Sequence, residues 1–511
     1  MMSRTSTVLS IVFLVVTGGL LYATRLGEVP VYLMHDEAQG ALQAHAIATT
    51  GRDLSGRVLP LYFTEPEFPP GRDPALIYVT ALGLKLLPFD EAAVRTPTAL
   101  VAVLNVVLTF LVARRMFQST AMGLVAAGML LLTPIHFIRG RLLLSPLYSI
   151  PFVLAWLWSL ARFEEERTPR RLVVAALWLG LGAYSYLAAV VMMPIYLAVT
   201  LAIGYRRLGV SAALKAAAAF VATLIPMILW YVTHPERNAQ IISAYQLDAG
   251  TESPLTRWIG LYWSFFDPSF LFVSGDASLI NSTREAGFFP MAFAMLLPIG
   301  LYGVVRSRQP VPLAMAIGFV TAPLVSMISG AIEMNRVMFA IPFGVLVAAS
   351  GVHTMLRARA VAIRAAAVLL LLAMGWQFAG FYSGYFGGYG RSAAPWLAGN
   401  AREALRALMA QAESMRGPIY ISQEIDWVHR TWRFYAIADG RMDMIDRASY
   451  YLERPPADAP PGAMLICPAA SGRCQALQQN GWMETATVPS LDGSRAFTLL
   501  TLPERVAAGR Q

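Results

Sequence analysis

The sequence has 511 residues, of which 56% are hydrophobic and only 14% are charged. Soluble domains carry roughly 25% charged residues, so the composition excludes an ordinary soluble globular protein. Lysine and arginine outnumber acidic residues by 40 to 31, which gives a formal net charge of +9. Most of this excess is arginine in short segments between apolar stretches, as in membrane proteins, and we therefore predict no nucleic-acid partner.

Eleven apolar segments approach the length of about 20 residues that is needed to cross a bilayer. They are 8–24, 93–113, 119–138, 142–161, 171–187, 188–205, 211–231, 288–305, 310–330, 336–355 and 365–385. The first segment is predicted to be a retained helix, with a cleaved signal peptide as the alternative. The run 171–205 is divided by interpretation, with Tyr184, Ser185 and Tyr186 at the bend.

Every second connection between these segments contains at least two arginines. They are Arg114 and Arg115; Arg162, Arg167, Arg170 and Arg171; Arg206 and Arg207; Arg306 and Arg308; and Arg357, Arg359 and Arg364. By the positive-inside rule these connections and the N-terminus are cytoplasmic. An odd number of spans then puts the C-terminus outside.

The connections on the predicted outer side include two long loops, 25–92 and 232–287. Acidic residues are concentrated in the first loop, in which 38–49 and 74–87 are predicted to form short interfacial helices. The second loop is rich in aromatic residues, which are typical of the membrane surface. We interpret residues 1–386 as a transmembrane domain that includes both loops.

Residues 387–511 have a different composition and are predicted to form a small extracytoplasmic α/β domain. Predicted strands are 419–422, 464–467 and 496–500, and predicted helices are 396–413 and 427–435. Cys467 and Cys474 lie in this domain. A disulfide and two unrelated thiols are both open, because spacing alone does not fix a pairing.

The sharpest local feature is the tripeptide His35-Asp36-Glu37, which follows the first span and begins a predicted helix. A carboxylate there can accept a proton from an attacking hydroxyl, although an acidic pair in a loop is also a common solvated helix cap. The predicted span centres carry no ionisable residue, which argues against an ion-coupled transporter. Because no His, Cys and Asp cluster has ligand spacing, no metal and no cofactor are predicted.

Several motifs, in this order, resemble the dolichyl-phosphate-mannose protein mannosyltransferase family, and some resemble its bacterial members. They are His35-Asp36-Glu37, Gly71-Arg72-Asp73-Pro74, 90–100 (DEAAVRTPTAL), 136–141 (HFIRGR), 180–194 (GLGAYSYLAAVVMMP), 272–287 with Gly275-Asp276 and Arg284, and Asn335-Arg336. One departure is that residues 142–146 (LLLSP) supply Ser145 where many members carry an acidic residue.

The resemblance implies a polytopic α-helical membrane protein of about eleven spans with the C-type glycosyltransferase fold, in a bacterial inner (plasma) membrane. Such enzymes transfer a sugar from a polyprenyl phosphate carrier to an acceptor on the outer face. The acceptor remains open between glycan, lipid and protein. Asp36 would be the catalytic base, with Glu37 tuning its charge or holding the acceptor. The alternative is a non-enzymatic transporter or scaffold for lipid-linked substrates.

Candidate ligands for the donor phosphate are Arg95, Arg139, Arg141 and Arg336, which lie at predicted outer ends of spans. Arginine suits this role because its guanidinium makes bidentate contacts with phosphate oxygens. The alternative is that these arginines reach lipid headgroups or pair with Glu91 and Glu333. The remaining possible substrate contacts are His35, Asp276, Arg284 and Glu333.

Overall fold

The computed structural model describes residues 4–63, 73–236, 239–240, 253–307, 309–397, 399–491 and 493–503. Gly71 and Arg72 of one family motif lie outside the described residues. The α-helices, in chain order, are α1 (Arg4–Ala23), α2 (His35–Thr50), α3 (Pro74–Leu84), α4 (Glu91–Phe117), α5 (Thr120–Leu131), α6 (Pro134–Arg139), α7 (Ile150–Glu166), α8 (Pro169–Gly182), α9 (Ala189–Leu208), α10 (Val210–Thr233), α11 (Pro254–Ser264), α12 (Phe293–Ser307), α13 (Pro310–Thr321), α14 (Leu324–Ser329), α15 (Ala340–Leu356), α16 (Val361–Phe386), α17 (Tyr389–Ala393), α18 (Ala401–Ser414), α19 (Val428–Ala438), α20 (Asp443–Arg447) and α21 (Gly472–Gln479). The strands are β1 (Ile419–Ser422), β2 (Ala448–Tyr451), β3 (Met464–Pro468), β4 (Met483–Pro489) and β5 (Arg495–Thr501).

Each of the eleven predicted spans coincides with helix, and the protein is a multi-pass membrane protein. Six described helices are long and apolar enough to cross a membrane. They are Thr5–Ala23, Glu91–Phe117, Ala189–Leu208, Val210–Thr233, Pro310–Met327 and Val361–Phe386. The other segments are shorter or broken.

The predicted segment 119–138 and the run 171–205 show where the helices break. The segment 119–138 is broken between α5 and α6, where Pro134 opens the new helix. Proline removes a backbone donor and disfavours helix in the residue before it, which explains the break. The predicted division of 171–205 is confirmed, since α8 ends at Gly182 and α9 begins at Ala189.

The chain packs as two compact units, which are described separately. The first unit comprises Met1–Thr24, Arg57–Thr80 and Arg95–Gly384. The second comprises Arg25–Gly56, Ala81–Val94 and Tyr385–Gln511. The second unit thus combines the C-terminal residues with two segments of the first outer loop, which the sequence analysis had assigned to the transmembrane domain.

Helix α15 lies at the centre of the first unit, and most of its side chains are buried. It packs against α5, α12 and α13. Its closest approach to α12 occurs at Gly300 and Gly351, where a Cβ on Gly300 would overlap the carbonyl oxygen of Val347. Small residues let two helix backbones approach in this way, as is common between membrane helices.

The arginine-rich turns of the first unit meet at one end of it. At the end of α7, Glu164 accepts a hydrogen bond from the backbone N–H of Val311, in the first turn of α13, at 3.4 Å. Arg115, at the end of α4, forms an ion pair with Glu165. These contacts join three turns that the charge pattern assigned to the same side of the membrane.

The second unit contains a five-stranded sheet in the order β2-β1-β3-β5-β4. β1 pairs in parallel with β2 and β3, and β5 pairs antiparallel with β3 and β4. The three predicted strands are confirmed, and β2 and β4 were missed. Both missed strands are edge strands with partly exposed side chains, so their apolar pattern is weak. Cys467 and Cys474 form a disulfide, which the sequence had left open.

We predict that Gly300→Ala lowers the free energy of unfolding by about 1–3 kcal/mol, because the added methyl group overpacks the contact with α15. Gly375→Ala in α16 is the matched control, since a Cβ there meets nothing within 4 Å. The measurement is the thermal unfolding midpoint of the purified full-length protein in detergent. Equal midpoints for the two variants would contradict the proposed close packing.

Candidate functional site

In the second unit, the acidic pair lies in the first turn of α2. Glu37 Oε2 accepts a hydrogen bond from the backbone N–H of Met34 at 3.2 Å, as the third residue of a capping box does. Glu37 is completely buried, whereas the side chain of Asp36 is 34% exposed. Glu37 therefore fixes the start of the helix, and Asp36 is the accessible carboxylate. The positive end of the helix dipole favours its anionic form.

His35 connects Asp36 to the C-terminal residues of the same unit. Its Nε2 lies 3.5 Å from Asp36 Oδ1, and its ring stacks on that of Trp427 with centroids 5.8 Å apart. The Arg430 guanidinium covers the Trp427 ring at 4.1 Å. Trp427 has a φ of +53°, a strained left-handed conformation for a bulky residue, at the start of α19. The sequence analysis did not identify Trp427 as a site residue.

A buried ion pair links the start of α4 to the C-terminal residues of the second unit. Glu91 is 7% exposed, and its carboxylate lies 3.2 Å from Arg402 Nη1 and accepts a hydrogen bond from the Tyr435 hydroxyl at 2.6 Å. The Arg402 guanidinium also lies 5.6 Å from the Tyr32 ring. Burial, together with the charge of Glu403, raises the pKa of the Tyr32 hydroxyl to about 12, so Tyr32 is neutral beside Arg402.

In the first unit, Asp276 is the centre of a buried polar network. Arg139, which is 2% exposed at the end of α6, donates to Asn281 Oδ1. Asn281 donates to Asp276 Oδ2 at 2.8 Å, and that oxygen also accepts from the backbone N–H of Met334 at 2.9 Å. The other oxygen, Oδ1, accepts from the backbone N–H of Ser278 at 2.9 Å. One carboxylate therefore holds three separate chain segments together.

Four predicted site residues are brought together by this network. Arg139 and Asp276 belong to it, and Met334 lies between Glu333 and Arg336, which form an ion pair at 3.1 Å. The Arg336 side chain is 21% exposed, so it is the most accessible of the candidate phosphate ligands. Its pairing with Glu333 is the alternative that the sequence analysis had named. Gly275, with a φ of +71°, permits the turn that aims Asp276.

The other predicted arginines are held by different contacts. Arg141 is fully buried, donates to the backbone carbonyl of Tyr22 at 2.7 Å, and lies 5.3 Å from the Phe137 ring. Arg95 is fully buried in α4. Arg284 donates to the backbone carbonyl of Ala277 at 2.7 Å and therefore braces the loop that carries Asp276.

His136 is completely buried and ties α6 to two other helices. The Tyr22 hydroxyl of α1 lies 2.7 Å from its Nδ1, and Asn105 Nδ2 of α4 lies 3.5 Å from its Nε2. These contacts indicate that His136 fixes the helix that ends at Arg139 and is followed by Arg141. In the part of the chain that the structure describes, no group of three His, Cys, Asp or Glu residues is placed to hold a metal ion.

We predict that Asp276→Asn lowers the free energy of unfolding by about 1–3 kcal/mol, because one acceptor oxygen becomes a donor that faces other buried donors. Asp267→Asn in the same loop is the matched control, because Asp267 is exposed and its side chain accepts a hydrogen bond from the backbone N–H of Ser269. Thermal unfolding of both purified variants is the measurement. A midpoint for Asp276→Asn as high as that of the control would refute the importance of the network.

Residues 69–230 match the family model of dolichyl-phosphate-mannose-protein mannosyltransferases. A comparison with curated protein sequences gives no significant match. The fold is similar to that of ArnT from Cupriavidus metallidurans in the apo state, with a TM-score of 0.63 and 16% identity, over 98% of this chain and 99% of that chain.

Two further solved structures share the fold. ArnT from the same organism bound to undecaprenyl phosphate gives a TM-score of 0.62 at 16% identity, over 98% of this chain and 99% of that one. The apo oligosaccharyltransferase of Archaeoglobus fulgidus gives 0.53 at 12% identity, over 99% of this chain and 75% of that one. These findings confirm the resemblance seen in the sequence and identify the chain as a multi-pass membrane protein of the C-type glycosyltransferase fold, similar through residues 69–230 to the dolichyl-phosphate-mannose-protein mannosyltransferases.

Proposed function

We propose that this chain is a membrane glycosyltransferase that moves a sugar from a polyprenyl phosphate carrier to an acceptor hydroxyl on the outer face of a bacterial inner membrane. The observation that carries the proposal is the similarity of fold, over nearly the whole chain, to a structure bound to undecaprenyl phosphate. The match to a mannosyltransferase family model supports the same class of reaction. The acceptor is a glycan, a lipid or a protein.

Asp36 is proposed as the general base of a single displacement. It accepts the proton of the acceptor hydroxyl while that oxygen forms a bond to the anomeric carbon of the sugar. The bond from that carbon to the phosphate oxygen breaks, its electron pair leaves with the polyprenyl phosphate, and the configuration inverts. The partial exposure of Asp36 and its position in the first turn of α2 support this role. Glu37 acts as a positioning residue because it caps the same turn.

The leaving phosphate gains negative charge, which arginine stabilises through charge-assisted hydrogen bonds. We assign this role first to Arg336, since it is the most accessible candidate. Arg139 supports it through the Asp276 network, which fixes the backbone at Met334. Arg95 and Arg141 contribute buried positive charge. His35, Asp276, Arg284 and Glu333 are proposed to position these groups.

The proposed orientation has a cytoplasmic N-terminus and an extracytoplasmic C-terminal domain. Arg336 and Arg357 flank opposite ends of α15, whose 17 residues span about 25 Å. The meeting of the arginine-rich turns at the Arg357 end supports a common cytoplasmic side under the positive-inside rule. A disulfide between Cys467 and Cys474 fits an oxidising compartment such as the periplasm.

We predict that Asp36→Asn lowers sugar transfer by at least about 100-fold, the range expected for loss of a general base. The test is a deletion strain of the native host, complemented with each variant, with mass analysis of envelope glycans and polyprenyl-linked sugars. Glu28→Gln, an exposed carboxylate in the same loop, is the control and should restore the glycan. Restoration of the glycan by Asp36→Asn at the wild-type level would exclude Asp36 as the base, and an unchanged glycan in the deletion strain would favour a non-enzymatic role.

We predict that Arg336→Gln weakens binding of undecaprenyl phosphate to the purified protein by about 10-fold or more, as expected when a hydrogen bond to a charged group is lost. Arg171→Gln is a closely matched control. The Arg171 side chain is 25% exposed and pairs with Glu166, much as Arg336 pairs with Glu333. Equal dissociation constants for the two variants would remove Arg336 from the donor site.

A further inference from the structure

A cavity of about 520 Å³ opens among the arginine-rich turns of the first unit. The ends of α4, α7, α12 and α15 and the start of α13 line it. Ser350, His353 and Thr354 lie on one face of α15, Arg357 follows the last residue of that helix, and together they form one wall. Arg115 and Gln118 lie in the lining from the α4 side. The volume lies within the range of about 300–1,000 Å³ that is typical of small-molecule sites.

The two carboxylates in the lining are already engaged. Glu165 forms an ion pair with Arg115, and Glu164 accepts the hydrogen bond from the Val311 N–H. Arg357 is exposed at the cavity and lines it together with His353, whose ring is tilted against that of Phe117 with centroids 4.9 Å apart. The cavity therefore offers the Arg357 guanidinium to a ligand more readily than it offers negative charge.

Unsatisfied donors lie beside this cavity. The Nε atoms of Arg114 and Arg115 are buried and have no hydrogen-bond acceptor among the described residues. A second cavity of about 240 Å³ is lined by both arginines and by Trp158, and it shares Arg115, Gln118 and Glu165 with the first. A buried guanidinium N–H that lacks an acceptor costs free energy, so an acceptor oxygen of a ligand would stabilise this region.

We propose that this cavity binds a phosphate-bearing anion, with Arg357 and His353 as its main contacts. Arginine and histidine donate to phosphate oxygens, and both residues line this cavity. A phospholipid headgroup at the membrane surface and a soluble phosphate compound share this chemistry. The site is separate from the proposed transfer reaction, because none of these residues has a role in it.

The test uses the purified full-length protein in detergent with three probes: dioleoyl phosphatidic acid, dioleoylglycerol and inorganic pyrophosphate. We expect phosphatidic acid to raise the thermal unfolding midpoint and to remain bound in native mass spectrometry, whereas dioleoylglycerol, which lacks the phosphate, does neither. Stabilisation by pyrophosphate alone would support the phosphate site and assign it to a soluble ligand. Equal binding of dioleoylglycerol and phosphatidic acid would overturn the proposal.

Variants connect the binding to this cavity. Arg357→Gln and the double variant with His353→Gln should weaken phosphate-dependent binding by about 10-fold or more. Arg359→Gln is the matched control. Arg359 lies two residues away from Arg357, is exposed and is not part of the lining, so this change removes the same charge outside the cavity. Binding by Arg357→Gln and by the double variant equal to that of the control would also overturn the proposal. The midpoint without a probe shows whether each variant is folded.

Discussion

Hydrocarbon offers no hydrogen-bond partner to a backbone amide or a guanidinium, so a polar group among the spans must be satisfied within the protein. The Asp276 network of the first unit meets part of this requirement. The Asp276 carboxylate accepts hydrogen bonds from Asn281, Met334 and Ser278, and Asn281 in turn accepts from Arg139. Buried Arg139 is therefore tolerated because a loop distant in sequence folds onto it, and the same loop fixes the segment that carries Arg336.

Hydropathy predicted the positions of the helices because each must be apolar over most of its length to lie in a membrane. The break before Pro134 was missed, since a hydropathy average does not register one lost backbone donor. In the second unit, the buried strands β1, β3 and β5 were found from their apolar residues. The edge strands β2 and β4 were not, because their exposed side chains follow no clear alternation.

Only the charged residues of the candidate site could be proposed from the sequence. Asp36, Asp276, Arg139 and Arg336 stand out in the sequence because charged residues are rare in it. Their uncharged hydrogen-bond partners do not stand out in the sequence, because the contacts that identify them join residues far apart in the chain. Asn281 lies 142 positions from Arg139, which puts its role beyond any local pattern. The turn Asp276-x-Ser278, which precedes Asn281, can be recognised from the sequence. The side chain of an aspartate often accepts a hydrogen bond from the backbone N–H two residues later.

Asp36 is positioned through a local contact of Glu37 and a distant contact of His35, both within the second unit. The local contact is the hydrogen bond by which Glu37 caps the first turn of α2. A glutamate at the third position of any helix can form such a cap. The distant contact is the stack of His35 on Trp427, in residues that resemble nothing in the family motifs. Since α2 packs against α19 and Glu91 pairs with Arg402, the C-terminal residues fold as one unit with the helix that carries the proposed base. A change at Trp427 would therefore disturb the helix turn that carries Asp36, so the C-terminal residues of the second unit contribute to the geometry of the proposed base.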